Sequence, residues 1–295
     1  MRSLLLVLFL CSAASAQPKK TPVDRFTKAA GDAFKAALAA DEANDLPTAL
    51  GLYKKAFAIS PHPSTAYNIA DVHRRRGELA EAIQFYEIYL ALGPPAKEVK
   101  EVEALIEKLW ATPAVMELIS TAPSDPESVD LESAYVLVNG VIVKKAGEPA
   151  GFDSRDRPRV ELSVPAGLAQ TIDVVTPLSY NSVRCSLPPG KKSKCEIRVK
   201  PRIDGSLVVS TSEHRRRLQV SIDVQNRVDH ERVNVPPGRH RFEVRDNNLE
   251  CAGGVTVDVP KGTDVAYVFI DGPPTSFYQR CRPFKVKQYK LTFAN

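Results

Sequence analysis

The chain has 295 residues, 43% of them apolar and 25% charged, and a formal net charge of +5. The length is too great for one small domain and suits two or three, and the composition is that of an ordinary globular protein. The densest basic spots, HRRRG at 73–77 and HRRR at 214–217, lack interleaved aromatics, which argues against a nucleic-acid partner.

The opening segment, MRSLLLVLFLCSAASAQ, has one basic residue, Arg2, an apolar run from Leu4 to Leu10, and then small residues Ala14-Ser15-Ala16. This is the pattern of a secretory signal peptide over residues 1–16, with cleavage expected before Gln17. The apolar run is shorter than the roughly 20 residues that cross a bilayer. An exported protein of the periplasm or cell surface, with no transmembrane span, is therefore expected. Leu10 stands before Cys11 where a lipoprotein signal carries a small residue, which disfavours lipidation.

Residues 24–60 and 64–92 are rich in Ala, Leu, Lys and Glu, good helix formers. Apolar residues recur at helical spacing: Ala49, Leu52, Tyr53, Ala56, then Ala82, Phe85, Tyr86, Tyr89. ALGLYKKAFAISPHP at 49–63 is answered by AIQFYEIYLALGPPA at 82–96, so that Ala49, Tyr53 and Pro61 correspond to Ala82, Tyr86 and Pro94. Pro61-His62-Pro63 and Gly93-Pro94-Pro95 break the helices at matching places, and Gly77 makes a further break. AKEVKEVEALIEKLW at 96–110 reads as another helix, with Val99, Val102, Leu105, Ile106 and Leu109 on one face.

This pattern, a helical hairpin ending in proline, resembles the tetratricopeptide repeat. The second copy carries Ala66-Tyr67-Asn68-Ile69-Ala70, Gly77, Ala82, Tyr86 and Pro94; the first keeps Ala49, Tyr53, Ala56 and Pro61, with Asn44 in place of the turn glycine. The resemblance implies stacked hairpins over 23–110, with 96–110 as their cap. It also implies a protein or peptide partner on the concave face of each first helix. By position that face holds Phe34, Leu38, Asp41 and Glu42 in the first copy, and Ser64, Tyr67, Asp71, Arg74 and Arg75 in the second. His73 stands at a position that usually holds an aromatic and is read as helix packing.

Beyond about residue 112, short β-branched runs alternate with Pro/Gly turns: AYVLVNG at 134–140, RVELSV at 159–164, TIDVV at 171–175, CEIRVK at 195–200, SLVVST at 206–211, LQVSIDV at 218–224, RHRFEV at 239–244, GVTVDV at 254–259 and VAYVFI at 265–270. Val164-Pro165-Ala166-Gly167 is answered by Val235-Pro236-Pro237-Gly238. The expected fold is thus multidomain, α then β, with helical hairpins followed by two small β-sandwiches over 113–201 and 202–295. VPPGRHRFEV at 235–244 resembles a hairpin of PEGA domains, small β modules of bacterial envelope proteins; GSLVVST at 205–211 and YVLVNG at 135–140 resemble two further pieces. The Pro-Glu-Gly-Ala tetrad is missing, SEHRRR at 212–217 standing in its place, so no binding residues carry over.

Export leaves four cysteines, Cys185, Cys195, Cys251 and Cys281, which suggests disulfides and allows three pairings. SLPPGKKSK between Cys185 and Cys195 looks like a turn joining two strands and favours that pair, leaving Cys251 with Cys281. Close CxxC or HxxxH pairs for a metal are absent, as are a G-x-S-x-G elbow, H-E-x-x-H, a P-loop and G-x-G-x-x-G. No enzyme, cofactor or metal is expected. The leading expectation is an envelope scaffold or adaptor that binds a protein through its helical groove. The alternative is a glycan or peptidoglycan binder using β-half aromatics, with Tyr135, Tyr180, Tyr278 and Phe284 exposed on one face.

Overall fold

A computed structural model describes residues 22–177, 179–198, 206–212, 218–223, 225–227, 231–246, 251–261, 264–271 and 285–293. The expected signal peptide lies outside them, as do Cys281, Tyr278, Phe284 and the side chain of Cys251. Helices come first and strands follow, in two compact units that divide between Val99 and Lys100. No helix among the described residues is long and apolar enough to cross a membrane.

The helices are α1 (Pro22–Glu42), α2 (Leu46–Ile59), α3 (Pro63–Arg75), α4 (Leu79–Ala91) and α5 (Ala96–Trp110). Their ends follow from local chemistry. Asn44 takes φ +58° between α1 and α2, and Gly77 and Gly93 each take φ +73°, a conformation these residue types tolerate best. Asp45 caps α2 by accepting the Thr48 N–H at 3.2 Å, and the His62 ring caps α3 by accepting the Ser64 N–H at 3.2 Å. Ala49, Ala82, Tyr53 and Tyr86 are all fully buried, so the repeated small and aromatic positions form the helix packing.

Among the described residues the β half has four sheets of four strands. The first has the order β4 (Gly151–Phe152), β5 (Pro158–Val164), β1 (Ala114–Ile119), β8 (Lys192–Glu196). The second runs β3 (Val141–Lys144), β2 (Tyr135–Val138), β6 (Gly167–Val175), β7 (Tyr180–Leu187). The third is β12 (Glu231–Val233), β9 (Leu207–Thr211), β15 (Val265–Asp271), β16 (Lys285–Leu291). The fourth is β11 (Gln225–Arg227), β10 (Leu218–Ile222), β13 (Gly238–Asp246), β14 (Cys251–Val259).

Sheets one and two share a core that includes Met116, Leu118, Val136, Ile172 and Val174; sheets three and four share another around Val209, Val220, Phe242 and Val268. A third core, with Leu137, Val175, Tyr180, Val208, Tyr267 and Phe269, joins sheet two to sheet three. The central strands of the inner sheets are therefore largely buried on both faces, and β9 is buried at every residue. The two pairs repeat one topology: β1 runs parallel to β8 and antiparallel to β5, as β9 runs parallel to β15 and antiparallel to β12.

Several elements differ from the sequence reading. Strands β1, β3, β4, β7, β11, β12 and β16 lie outside the expected runs. The expected strand at 195–200 is instead β8 at Lys192–Glu196. Most of these strands are short or polar, and β1 and β12 pair with strands distant in sequence, so local pattern does not mark them. The Cys185–Cys195 disulfide is present, with Cα atoms 6.1 Å apart. It joins β7 and β8 as expected, but the two strands lie in different sheets, so the bond staples the first sheet to the second.

Candidate functional site

The candidate groove residues fall on α1 and α3. Four of them close into one charged network. Arg75 pairs with Asp41 of α1 and, at 3.0 Å, with Asp71; Arg74 binds Asp71 at 2.5 Å. Tyr53 of α2 donates its hydroxyl to Asp41 at 3.2 Å. Burial, and next the Asp41 charge, push the Tyr53 phenol up, so it stays a donor. Two carboxylates and two guanidiniums thus neutralise one another, and this set ties α1 to α3.

The remaining groove residues behave differently. Leu38 and Tyr67 are 36% and 37% exposed, among the few large apolar side chains left open to solvent. Tyr67 sets its ring edge-on to Tyr86 and Tyr89, which holds it in place. Phe34 packs edge-on against Tyr53 and, with Ser64, lines a cavity of about 320 Å³. Ala30, Gly31, Ala56, His62 and Thr65 complete most of its wall, and among the described residues none of its lining is an acid, a lysine or an arginine. Glu42 is exposed at the last residue of α1. His73 is buried and stacked on Phe85 at 5.7 Å, in agreement with a packing role.

The β half holds polar centres that sequence reading missed. Asp173 is fully buried between sheets two and three, accepting from Tyr267 at 2.7 Å, Tyr180 at 3.1 Å and Ser210 at 2.8 Å. Burial, and then the Asp173 charge, raise both phenols well above their usual range. Arg232, 6% exposed, donates to the carbonyls of Thr176, Pro177 and Ser179 at 2.8, 2.6 and 3.0 Å. No local motif flags either residue, because their partners lie 37 to 94 and 53 to 56 positions away, the near neighbour Tyr180 excepted. Tyr180 is 3% exposed and Tyr135 packs edge-on against Phe293, so Tyr180 offers no open face to a sugar.

No protein-family model matches this chain, and no curated protein matches it.

Proposed function

We propose that the protein is a non-enzymatic scaffold or adaptor of the bacterial envelope, exported by its N-terminal segment. Its helical unit, of tetratricopeptide type, holds a protein partner on the face of α1 and α3. The β half is read as two PEGA-like sandwiches. The observations that carry the reading lie on these two helices: Leu38 and Tyr67 are open to solvent, and Phe34 and Ser64 line a cavity. A disulfide fits an oxidising compartment. His62 caps α3, and His73 stacks on Phe85.

Gly31 supports the same reading. Mid-helix glycine is disfavoured by about 1 kcal/mol against alanine. Among the described residues, no heavy atom beyond its chain neighbours and its own helix backbone lies within 4 Å of where a Cβ would stand, so packing does not demand the glycine. Its absent side chain leaves the cavity open for an apolar side chain of a partner. Because Asp41, Asp71, Arg74 and Arg75 neutralise one another, the contact is apolar rather than ionic.

The test is capture from envelope extract, read by mass spectrometry, with the mature protein, Gly31→Leu and Leu38→Gln/Tyr67→Ala as baits. The expected result is one protein recovered by the mature chain and lost from both variants, with Gly31→Leu melting no lower than the parent. Equal recovery by all three baits overturns the groove reading.

A further inference from the structure

The two sheet pairs carry the same polar clip in different chemistry. In the first pair Asn139, at φ +45°, follows β2; its N–H donates to the Thr171 carbonyl and its Oδ1 accepts the Thr171 N–H, both at 2.8 Å. In the second, Asp223, at φ +46°, follows β10; its N–H donates to the Arg241 carbonyl and its Oδ1 accepts the Arg241 N–H, both at 3.0 Å. The next residue back along each partner strand completes the clip. Gln170 accepts from the Asn139 amide and donates to the Ala166 carbonyl at 2.8 Å. His240 places Nδ1 2.5 Å from Asp223 Oδ2 and Nε2 2.7 Å from the Pro236 carbonyl. Gln170 lies one residue further past its glycine, Gly167, than His240 lies past Gly238, and an irregularity between Gly167 and Gln170 in the β6–β7 pairing absorbs the difference.

We propose that the second clip is a pH-operated latch: His240 holds the β10–β11 turn to the turn before β13 as an imidazolium, whereas Gln170 holds its counterpart at any pH. The chemistry is a count of donors. Both ring nitrogens face acceptors, a carboxylate and a carbonyl, and only the doubly protonated ring donates from both. A neutral ring gives up one of the two bonds. Gln170 has an amide NH₂ and a carbonyl that satisfy both partners without titrating.

The electrostatics agree. The Asp223 hydrogen bond raises the His240 pKa above its usual 6.5, and the His240 bond lowers Asp223 below its usual 3.8. Among the described residues, Asp223 is the charged group facing the ring. On β13, Arg239 and Arg241 alternate to the other face, where Arg241 pairs with Glu243 at 3.4 Å. On β14 the residue opposite is Val257, and Asp258 stands opposite Arg239 in the strand register. The Pro236-Pro237 turn adds no charge. A raised histidine pKa contributes stability that is complete below 6.5 and lost as pH rises through the folded value. The lowered Asp223 contributes stability present above 3.8 and lost on acidification through its folded value. The latch is therefore closed between about pH 4 and 6.5 and releases on the alkaline side.

The experiment is hydrogen exchange on the full mature chain from pH 4.5 to 9, with each amide expressed as a protection factor. The Arg241 amide is expected to lose protection as His240 deprotonates, by up to about tenfold per pH unit. The equivalent Thr171 amide is expected to hold constant. His240→Gln, which copies the first clip, is expected to make Arg241 pH-independent. Asp223→Asn is expected to return the His240 ring, followed by its Hε1 proton resonance, toward the ordinary histidine range. Constant Arg241 protection in the parent chain, or unchanged pH dependence in His240→Gln, overturns the proposal.

Discussion

The Tyr267 hydroxyl donates to the Asp173 carboxylate at 2.7 Å, joining residues 94 positions apart in the core between sheets two and three. A fully buried carboxylate is costly unless its lone pairs are filled, and here hydroxyls of Tyr180, Ser210 and Tyr267 fill them. The contact makes the two sheet pairs interdependent.

Asp173→Ala leaves those hydroxyls without their acceptor and is expected to destabilise the β half by about 2–4 kcal/mol. Tyr267→Phe removes one donor to a charged group and is expected to cost about 1.5–3 kcal/mol. Urea unfolding measures both. Hydrogen exchange at Val160 of β5 and Val257 of β14 shows whether both pairs are weakened together. A loss confined to one pair contradicts the shared core.

Arg232 is the second tie. Its guanidinium spans carbonyls of Thr176, Pro177 and Ser179, a fan that a single ammonium cannot match. Arg232→Ala is expected to cost about 2–4 kcal/mol, and Arg232→Lys is expected to recover less than half of it by the same denaturation measurement.

Gly140 sits at φ +66° in the turn after β2, with the side chain of Phe269 where a Cβ would go. Gly140→Ala combines left-handed backbone strain, about 1–2 kcal/mol, with displacement of a buried ring. A loss of at least about 2 kcal/mol is expected. Gly147, at φ +85° with no heavy atom within 4 Å of a Cβ, is the control: Gly147→Ala carries the backbone cost alone.

Closing the Cys185–Cys195 loop, a separation of 10 residues, is expected to stabilise the fold by about 2–3 kcal/mol. Cys185→Ala/Cys195→Ala should lose that amount in chemical denaturation. In folded, unreduced protein neither cysteine is expected to take a thiol label, and labelling of either contradicts the staple.

The helical unit was legible because helices are written locally. The 3.6-residue spacing, the prolines and the positive-φ positions Asn44, Gly77 and Gly93 all act within a turn or two, and α5 matches its expected range, 96–110. The groove list was legible only as positions. The resemblance to the tetratricopeptide repeat implied one face for Asp41, Asp71, Arg74 and Arg75, but whether charges solvate, bind or pair with one another depends on the distance between two helices. The structure pairs them and leaves Leu38 and Tyr67 open.

In the β half the sequence by itself determined that strands exist, where many turns fall, that a unit recurs around Val-Pro-x-Gly, and which loop Cys185 and Cys195 close. The run VAYVFI at 265–270 is apolar without alternation, and the structure buries that strand on both faces. Only the tertiary structure decided that the described sheets share cores, that β1 runs parallel to β8 and β9 to β15, and that Asp173, Arg232 and His240 have partners. The physical reason is range. Turn and periodicity signals are set by neighbours along the chain, while sheet order and buried polar pairing are set by which distant surfaces exclude water together.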